Sequence, residues 1–153
     1  MPTISPGRAT RKVDVALAAQ LRLSVLRLAR RLRQLDVAAE GVTLSQLSAL
    51  YILVAQGPLT LGDLAAAEKV QPPTMTRLVS RMEEDGLVRR LAHATDRRIV
   101  VVEPTPEGSR LVEASRRRRT AELVRRLATL TEAERATVAE ATVLLDRLTE
   151  VEL

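Results

Sequence analysis

GPLTLGDLAAAEKVQPPTMTRLVSRMEEDGLVRRLAHATDRRIVVVEPTPEG, residues 57–108, is the stretch that decides the fold. It opens with a helix signal of barely two turns and continues with a second helix over residues 71–86. It closes with two apolar strands around a basic tip. A short helix, a tight turn, a longer helix and a β-ribbon can place one helix in the major groove of DNA and a ribbon in an adjacent groove. The order predicts a winged helix-turn-helix that binds double-stranded DNA by sequence.

The second helix carries its own start and stop signals. Gln71 stands at the expected N-cap, and Pro72 suits the first turn, where its missing N–H is not needed. Gly86 can adopt the left-handed conformation that ends a helix. Between them, one face repeats apolar residues at helical spacing. That predicted buried face consists of Met75, Leu78, Val79 and Met82.

The opposite face of this helix is polar and basic. Short hydroxyl side chains near the N-terminus suit phosphates and base edges, and Arg77 and Arg81 project from the same side because they are four residues apart. The residues that we expect to contact DNA on this helix are Gln71, Pro73, Thr74, Thr76, Arg77 and Arg81. The alternative is an ordinary amphipathic helix with a solvated polar face. The neighbouring short helix and hairpin favour DNA recognition.

The hairpin is predicted from strands over residues 87–93 and 99–102, the second of which is a β-branched run. Asp96 lies at the tip, where an aspartate side chain suits a turn and can hold an arginine in place. The ribbon also carries four cations, Arg89, Arg90, Arg97 and Arg98. They could simply blunt an exposed edge strand. An arginine at the tip is also well placed for a narrow minor groove.

Residues 57–108 resemble the core of the MarR (multiple antibiotic resistance regulator) family. The resemblance rests on the Asp-x-Arg pattern at Asp96-Arg97-Arg98 and on the Thr-Pro-Glu-Gly start of the next helix at residues 105–108. It implies an obligate homodimer that binds pseudo-palindromic promoter DNA and usually represses transcription. It further implies that a small-molecule effector or an oxidant relieves this repression. It also implies that Asp96 braces the wing and that Arg98 or Arg97 enters the minor groove. The Pro72-Pro73 pair departs from the small polar residues that many members have there.

Flanking helices predict the remaining architecture. The fold class is mainly α with a small β-hairpin wing, a winged helix-turn-helix with N- and C-terminal dimerisation helices. We expect a flexible basic arm at residues 1–12 and one domain over residues 13–153. In that domain the winged helix-turn-helix covers about residues 43–104, and dimerisation helices cover about 14–35 and 106–149. Their apolar stripes exceed what one small lobe can bury, which favours a two-fold dimer over a monomeric helical bundle.

Composition limits the compartment and the chemistry. The chain has 153 residues and a net charge of +5, which favours a polyanionic partner. It has no cysteine, which excludes disulfides, thiolate metal sites and cysteine-based redox sensing. No run approaches the ~20 apolar residues of a membrane span. The first dozen residues lack an apolar signal core, so we expect a cytoplasmic protein without a membrane partner.

Other function classes fit less well. An enzyme needs convergent acid, base or nucleophile groups, whereas this chain has one histidine and scattered acids. We therefore expect no catalytic residues, no metal site and no cofactor. The stronger alternative is a winged helix that serves as a protein–protein interaction module, because a fold does not determine a function. The residues of an effector site cannot be assigned from the sequence.

Overall fold

The structure is a computed structural model that describes residues 8–92, 96 and 99–150; of these, residues 8–13 and 36–40 are described by their backbone alone. The elements follow one another as α1 (Arg8–Glu40), α2 (Leu44–Gln56), β1 (Leu59–Thr60), α3 (Leu61–Ala67), α4 (Pro72–Glu84), β2 (Val88–Ala92), β3 (Val100–Pro104), α5 (Pro106–Leu127) and α6 (Glu132–Glu150). The predicted class, mainly α with a small β wing, is confirmed.

The chain divides into two compact units, residues 1–113 and 114–153, and the boundary lies within α5. The first unit contains the hydrophobic core, to which α2, α3, α4, the sheet and the first turns of α5 contribute. Its fully buried side chains include Leu50, Leu53, Leu64, Met75 and Val102. The second unit consists of the rest of α5 together with α6, and none of the α6 residues is buried.

α1 is longer than the sequence predicted. It begins at Arg8, inside the predicted arm, and continues to Glu40 rather than ending near Leu35. Neither proline nor glycine occurs between its ends, and extending an existing helix is far less costly than nucleating one. The arm prediction is therefore corrected for residues 8–12, and residues 1–7 lie outside the described residues.

Local caps set the starts of α2 and α3. The hydroxyl of Thr43 accepts a hydrogen bond from the backbone N–H of Gln46, whose side-chain oxygen accepts one from the backbone N–H of Thr43. This reciprocal pair is a capping box. At α3, the Thr60 hydroxyl accepts from the backbone N–H of Asp63 and donates to its carboxylate. The Asp63 side chain thus contacts the capping hydroxyl as acceptor.

The sheet has three strands in the order β1-β3-β2, where the sequence predicted a two-stranded hairpin. β2 and β3 pair in antiparallel register, with Arg90 opposite Val102. On its other side β3 pairs with β1, with Leu59 opposite Val102. A two-residue strand is too short to produce an alternating pattern in the sequence. The additional strand, β1, joins the start of the helix-turn-helix to the wing.

Candidate nucleic-acid interface

α4 presents the polar face that the sequence predicted. Met75, Val79 and Met82 are fully buried in the core. The predicted contact residues on the other face are all exposed: Gln71, Pro73, Thr74, Thr76, Arg77 and Arg81. Pro72 is the first helical residue, and Gly86, with a φ of 71°, follows the C-cap in the left-handed conformation. The predicted limits of the helix are confirmed, and so is its buried face except at Leu78, which is half-buried against the core. The contacts themselves stay a prediction.

The turn between α3 and α4 contains Lys69 in a backbone conformation that the sequence does not predict. Lys69 has a φ of 55°, in the left-handed region where glycine is usual. The N–H of Val70 donates to the carbonyl of Ala65, and that of Lys69 donates to the carbonyl of Ala66. This is the hydrogen-bond pattern of a Schellman C-cap, which closes α3 sharply and directs the chain into α4.

Two hydroxyls on the polar face bond to the helix backbone. The Thr76 hydroxyl donates to the carbonyl of Pro72 at 3.0 Å. The Ser80 hydroxyl donates to the carbonyl of Thr76, also at 3.0 Å. Because a hydroxyl has one hydrogen and two lone pairs, each of these oxygens can still accept a hydrogen bond after this donation. The hydrogen of the Thr76 hydroxyl is thereby committed to the helix backbone.

The wing strand directs its two neighbouring arginines to different partners. Arg89 forms an ion pair with Glu103 across the ribbon. Arg90 reaches α4, where its guanidinium donates to the Ser80 hydroxyl at 2.7 Å and lies 3.3 Å from the Glu83 carboxylate. Alternation along a strand puts successive side chains on opposite faces, so one of any two neighbours can face the helix. The sequence alone does not distinguish these two arginines from the other cations of the ribbon.

The tip of the wing is described only at Asp96. This residue is exposed, and its carbonyl accepts a hydrogen bond from the N–H of Ile99 at 3.0 Å, as a turn requires. Arg97 and Arg98, the predicted minor-groove contacts, lie outside the described residues, as does His93. The roles of these arginines and the bracing by Asp96 therefore stay predictions.

A cavity of about 640 Å³ opens beside the C-terminal end of α4 within the first unit. Arg81 lines it from α4, Asp85 from the C-cap of α4, and Gln46 from α2. Glu107 and Leu111 line it from α5. The predicted DNA contact Arg81 thus borders a concave site as well as the exposed face. Among the described residues, no group of three or more His, Cys, Asp or Glu side chains could hold a metal ion. In the same part of the chain, no helix is long and apolar enough to cross a membrane.

Comparisons with known proteins agree with this architecture. Residues 42–100 match the MarR family. The chain is 45% identical over 122 residues to the uncharacterised HTH-type transcriptional regulator Mb0904 of Mycobacterium bovis, covering 80% of this chain and 85% of that protein. It is 32% identical over 113 residues to the HTH-type transcriptional repressor MdtR of Bacillus subtilis, covering 74% and 73%.

A solved structure from Pseudomonas aeruginosa superposes with a TM-score of 0.79 at 38% sequence identity, covering 93% of this chain and 99% of that one. The resemblance therefore extends well beyond the helix-turn-helix. The exposed face of α4, the three-stranded wing and these similarities together show that the chain belongs to the MarR family of DNA-binding, helix-turn-helix transcriptional regulators.

Proposed function

We propose that this protein is a homodimeric, ligand-responsive repressor that binds pseudo-palindromic promoter DNA by sequence. The observation that carries the proposal is the face of α4 opposite its buried side. There Thr74, Arg77 and Arg81 are exposed together, while the helix is held from behind by fully buried methionines and a valine. A rigidly backed helix with outward arginines suits base edges in a major groove.

Exposed apolar side chains support the homodimer. On α1, the predicted apolar stripe consists of Leu17, Leu21, Val25, Leu28, Leu32 and Leu35. Of these, Leu17 is 61% exposed and Val25 is 47% exposed. On α6, the apolar stripe consists of Val138, Ala141, Leu144, Leu145 and Leu148. Of these, Leu144 is 57% exposed and Leu148 is 64% exposed. Exposed apolar stripes on helices usually mark interaction sites in a soluble protein, and closed two-fold assemblies are the commonest oligomers. Two copies of the recognition helix would then meet two half-sites of DNA.

The cavity beside α4 supports a response to a small molecule. Its volume of about 640 Å³ lies within the range of ~300–1,000 Å³ that is usual for ligand sites. Because Arg81 belongs to α4 and Asp85 caps its C-terminal end, a ligand bound between them would have different contacts in different positions of that helix. A ligand shifts an equilibrium only through such differences in affinity. The similarity to MdtR, which is named a repressor, supports repression as the regulatory outcome.

Selection of DNA from a random-sequence duplex library by the full chain tests the proposal. We expect enrichment of a two-fold symmetric motif whose half-sites lie about 10 bp apart, one helical turn. Binding should weaken steeply with salt, because phosphate contacts release counterions. Absence of any enriched motif, with weak and salt-insensitive binding, would instead favour the protein–protein interaction module.

Sedimentation of two α6 variants tests the dimer. Leu148→Glu places a charge within the exposed apolar stripe and should shift the protein toward monomer at micromolar concentration. Val143→Glu is the matched control, since Val143 is 61% exposed but lies outside that stripe. A compact wild-type monomer, or equal effects of the two substitutions, would contradict the proposed interface.

A further inference from the structure

Arg90 of β2 touches α4 at three points that span two helical turns. Its Nη2 donates to the Ser80 hydroxyl at 2.7 Å and to the Thr76 carbonyl at 3.4 Å. Its Nη1 lies 3.3 Å from the Glu83 carboxylate. The guanidinium thus bridges the wing strand and the recognition helix.

The chemistry of the guanidinium suits this bridge. It is planar, permanently charged and carries five donors in a rigid fork, so that one group can serve a hydroxyl, a carbonyl and a carboxylate together. The Arg90 side chain is 30% exposed, and its Nε is buried without a hydrogen-bond partner. Partial desolvation of a charge is unfavourable unless its contacts compensate. The position is therefore poorly suited to a cation that serves only for solubility.

We propose that Arg90 is a positioning residue that fixes the recognition helix relative to the wing. The inference rests on the proposed sequence-specific binding. Without the bridge, α4 is held by its buried face and its ends, and the Ser80 side of the helix can move relative to β2. A small displacement would misplace Arg77 at the bases while leaving the positive charge of the surface nearly unchanged. Arg90 would then determine selectivity without touching a base.

The alternative is that Arg90 contacts a phosphate directly, and salt dependence separates the two roles. A lost phosphate contact makes the negative slope of the log association constant against log salt concentration shallower by about 0.9. It also weakens binding to all duplexes alike. A lost positioning contact weakens binding to the selected duplex and leaves the slope unchanged. Arg89→Gln is the matched control, because it removes the same charge from the neighbouring residue, whose partner is Glu103.

The experiment measures Arg90→Gln, Arg90→Lys and Arg89→Gln against two duplexes at several salt concentrations. One duplex is the motif selected by the wild-type protein, and the other is its scrambled version. For Arg90→Gln we expect roughly tenfold weaker binding to the selected duplex, the size of effect expected for a lost charge-assisted hydrogen bond, with little change on the scrambled one. Arg90→Lys keeps the charge but not the fork, and should recover only part of the selectivity.

Two further readouts distinguish positioning from general structure. A double-mutant cycle with Ser80→Ala should be strongly non-additive, because both substitutions break the same bond. Amide hydrogen exchange without DNA should become faster in α4 for Arg90→Gln and stay unchanged for Arg89→Gln.

A reduced salt slope with equal loss on both duplexes, full recovery by Arg90→Lys, or unchanged exchange in α4 would each overturn the inference. If the wild-type protein selects no motif, the proposed function fails separately, and hydrogen exchange alone decides whether Arg90 fixes the helix.

Discussion

The side chain of Gln46 donates a hydrogen bond of 2.7 Å to the carboxylate of Asp85, joining the first turn of α2 to the end of the recognition helix. Gln46 is only 4% exposed, and its amide oxygen already accepts the N–H of Thr43. Both ends of the amide are therefore committed. The pair connects three features of the fold: a helix cap, the cavity wall and the C-terminal end of α4.

Removing the acceptor should weaken the fold. Asp85→Ala leaves a buried amide N–H without its partner, and we expect a loss of about 1–3 kcal/mol in the free energy of unfolding. Chemical denaturation monitored by circular dichroism measures it. Glu84→Ala is the control, because it removes one acid from the adjacent exposed position. Equal stability of the two variants would show that the Gln46 amide readily finds another acceptor, such as water in the cavity.

At Gly108, α5 lies close to the backbone of Leu87, the residue that precedes β2. A Cβ built on Gly108 would lie 2.2 Å from the Leu87 carbonyl oxygen and 2.9 Å from Cδ2 of Leu50. The same carbonyl accepts the N–H of Thr105 at 3.0 Å, so it is held in place. Gly108→Ala should therefore destabilise the protein by roughly 1–3 kcal/mol or more, as overpacking does.

Gly62→Ala is the matched control for that substitution. Gly62 lies in α3, and the nearest atom to its added Cβ would be the Thr60 hydroxyl oxygen at 3.8 Å, an ordinary contact. Because alanine favours a helix over glycine by up to about 1 kcal/mol, this variant should be as stable as the wild type or more so. Thermal melting of both variants checks the contrast. A stable Gly108→Ala variant would mean that α5 moves away from Leu87 without cost.

Local chemistry explains which features the sequence predicted. Pro72 and Gly86 act on their own backbone, so the limits of α4 follow from the sequence alone. Other features depend on partners distant in the chain. The direction of Arg90 depends on how β2 packs against α4, and β1 exists only because β3 lies beside it. Lys69 adopts a left-handed backbone conformation that is uncommon for lysine. Its φ of 55° is set by the bonds that close α3.

A pH-dependent contribution is expected at the start of α6. Hydrogen bonds from the backbone N–H and the hydroxyl of Thr131 lower the pKa of the Glu134 carboxyl below its usual value of 4.5. A lowered folded-state pKa means that the ionised form favours the folded state. This contribution should be fully present above about pH 4.5 and disappear as the pH falls through the folded-state pKa.

The measurement compares wild type with Glu134→Gln from pH 7 downward. The difference in stability should be largest near neutrality and vanish in acid. Glu132→Gln removes an equal charge from the same first turn and controls for net charge and the helix dipole. A difference between wild type and Glu134→Gln that does not change with pH would contradict the assignment to the ionised carboxylate.

Arg77 should read a base, whereas the wing arginine should read groove shape. Arg77 is exposed on α4, and a bidentate contact to guanine would discriminate against other bases by ~1–3 kcal/mol. Arg77→Ala should relax the preference at one position in each half-site while changing non-specific binding less. Arg98→Ala, or Arg97→Ala, should reduce the preference for narrow A·T-rich flanks and leave the central motif unchanged. Titration against single-position variants of the selected duplex, at two salt concentrations, separates these effects.

Arg110→Ala on α5 controls for the loss of one positive charge. Uniform weakening by Arg77→Ala and Arg98→Ala across all duplexes would make both residues phosphate contacts and remove the division of roles, although DNA binding would remain.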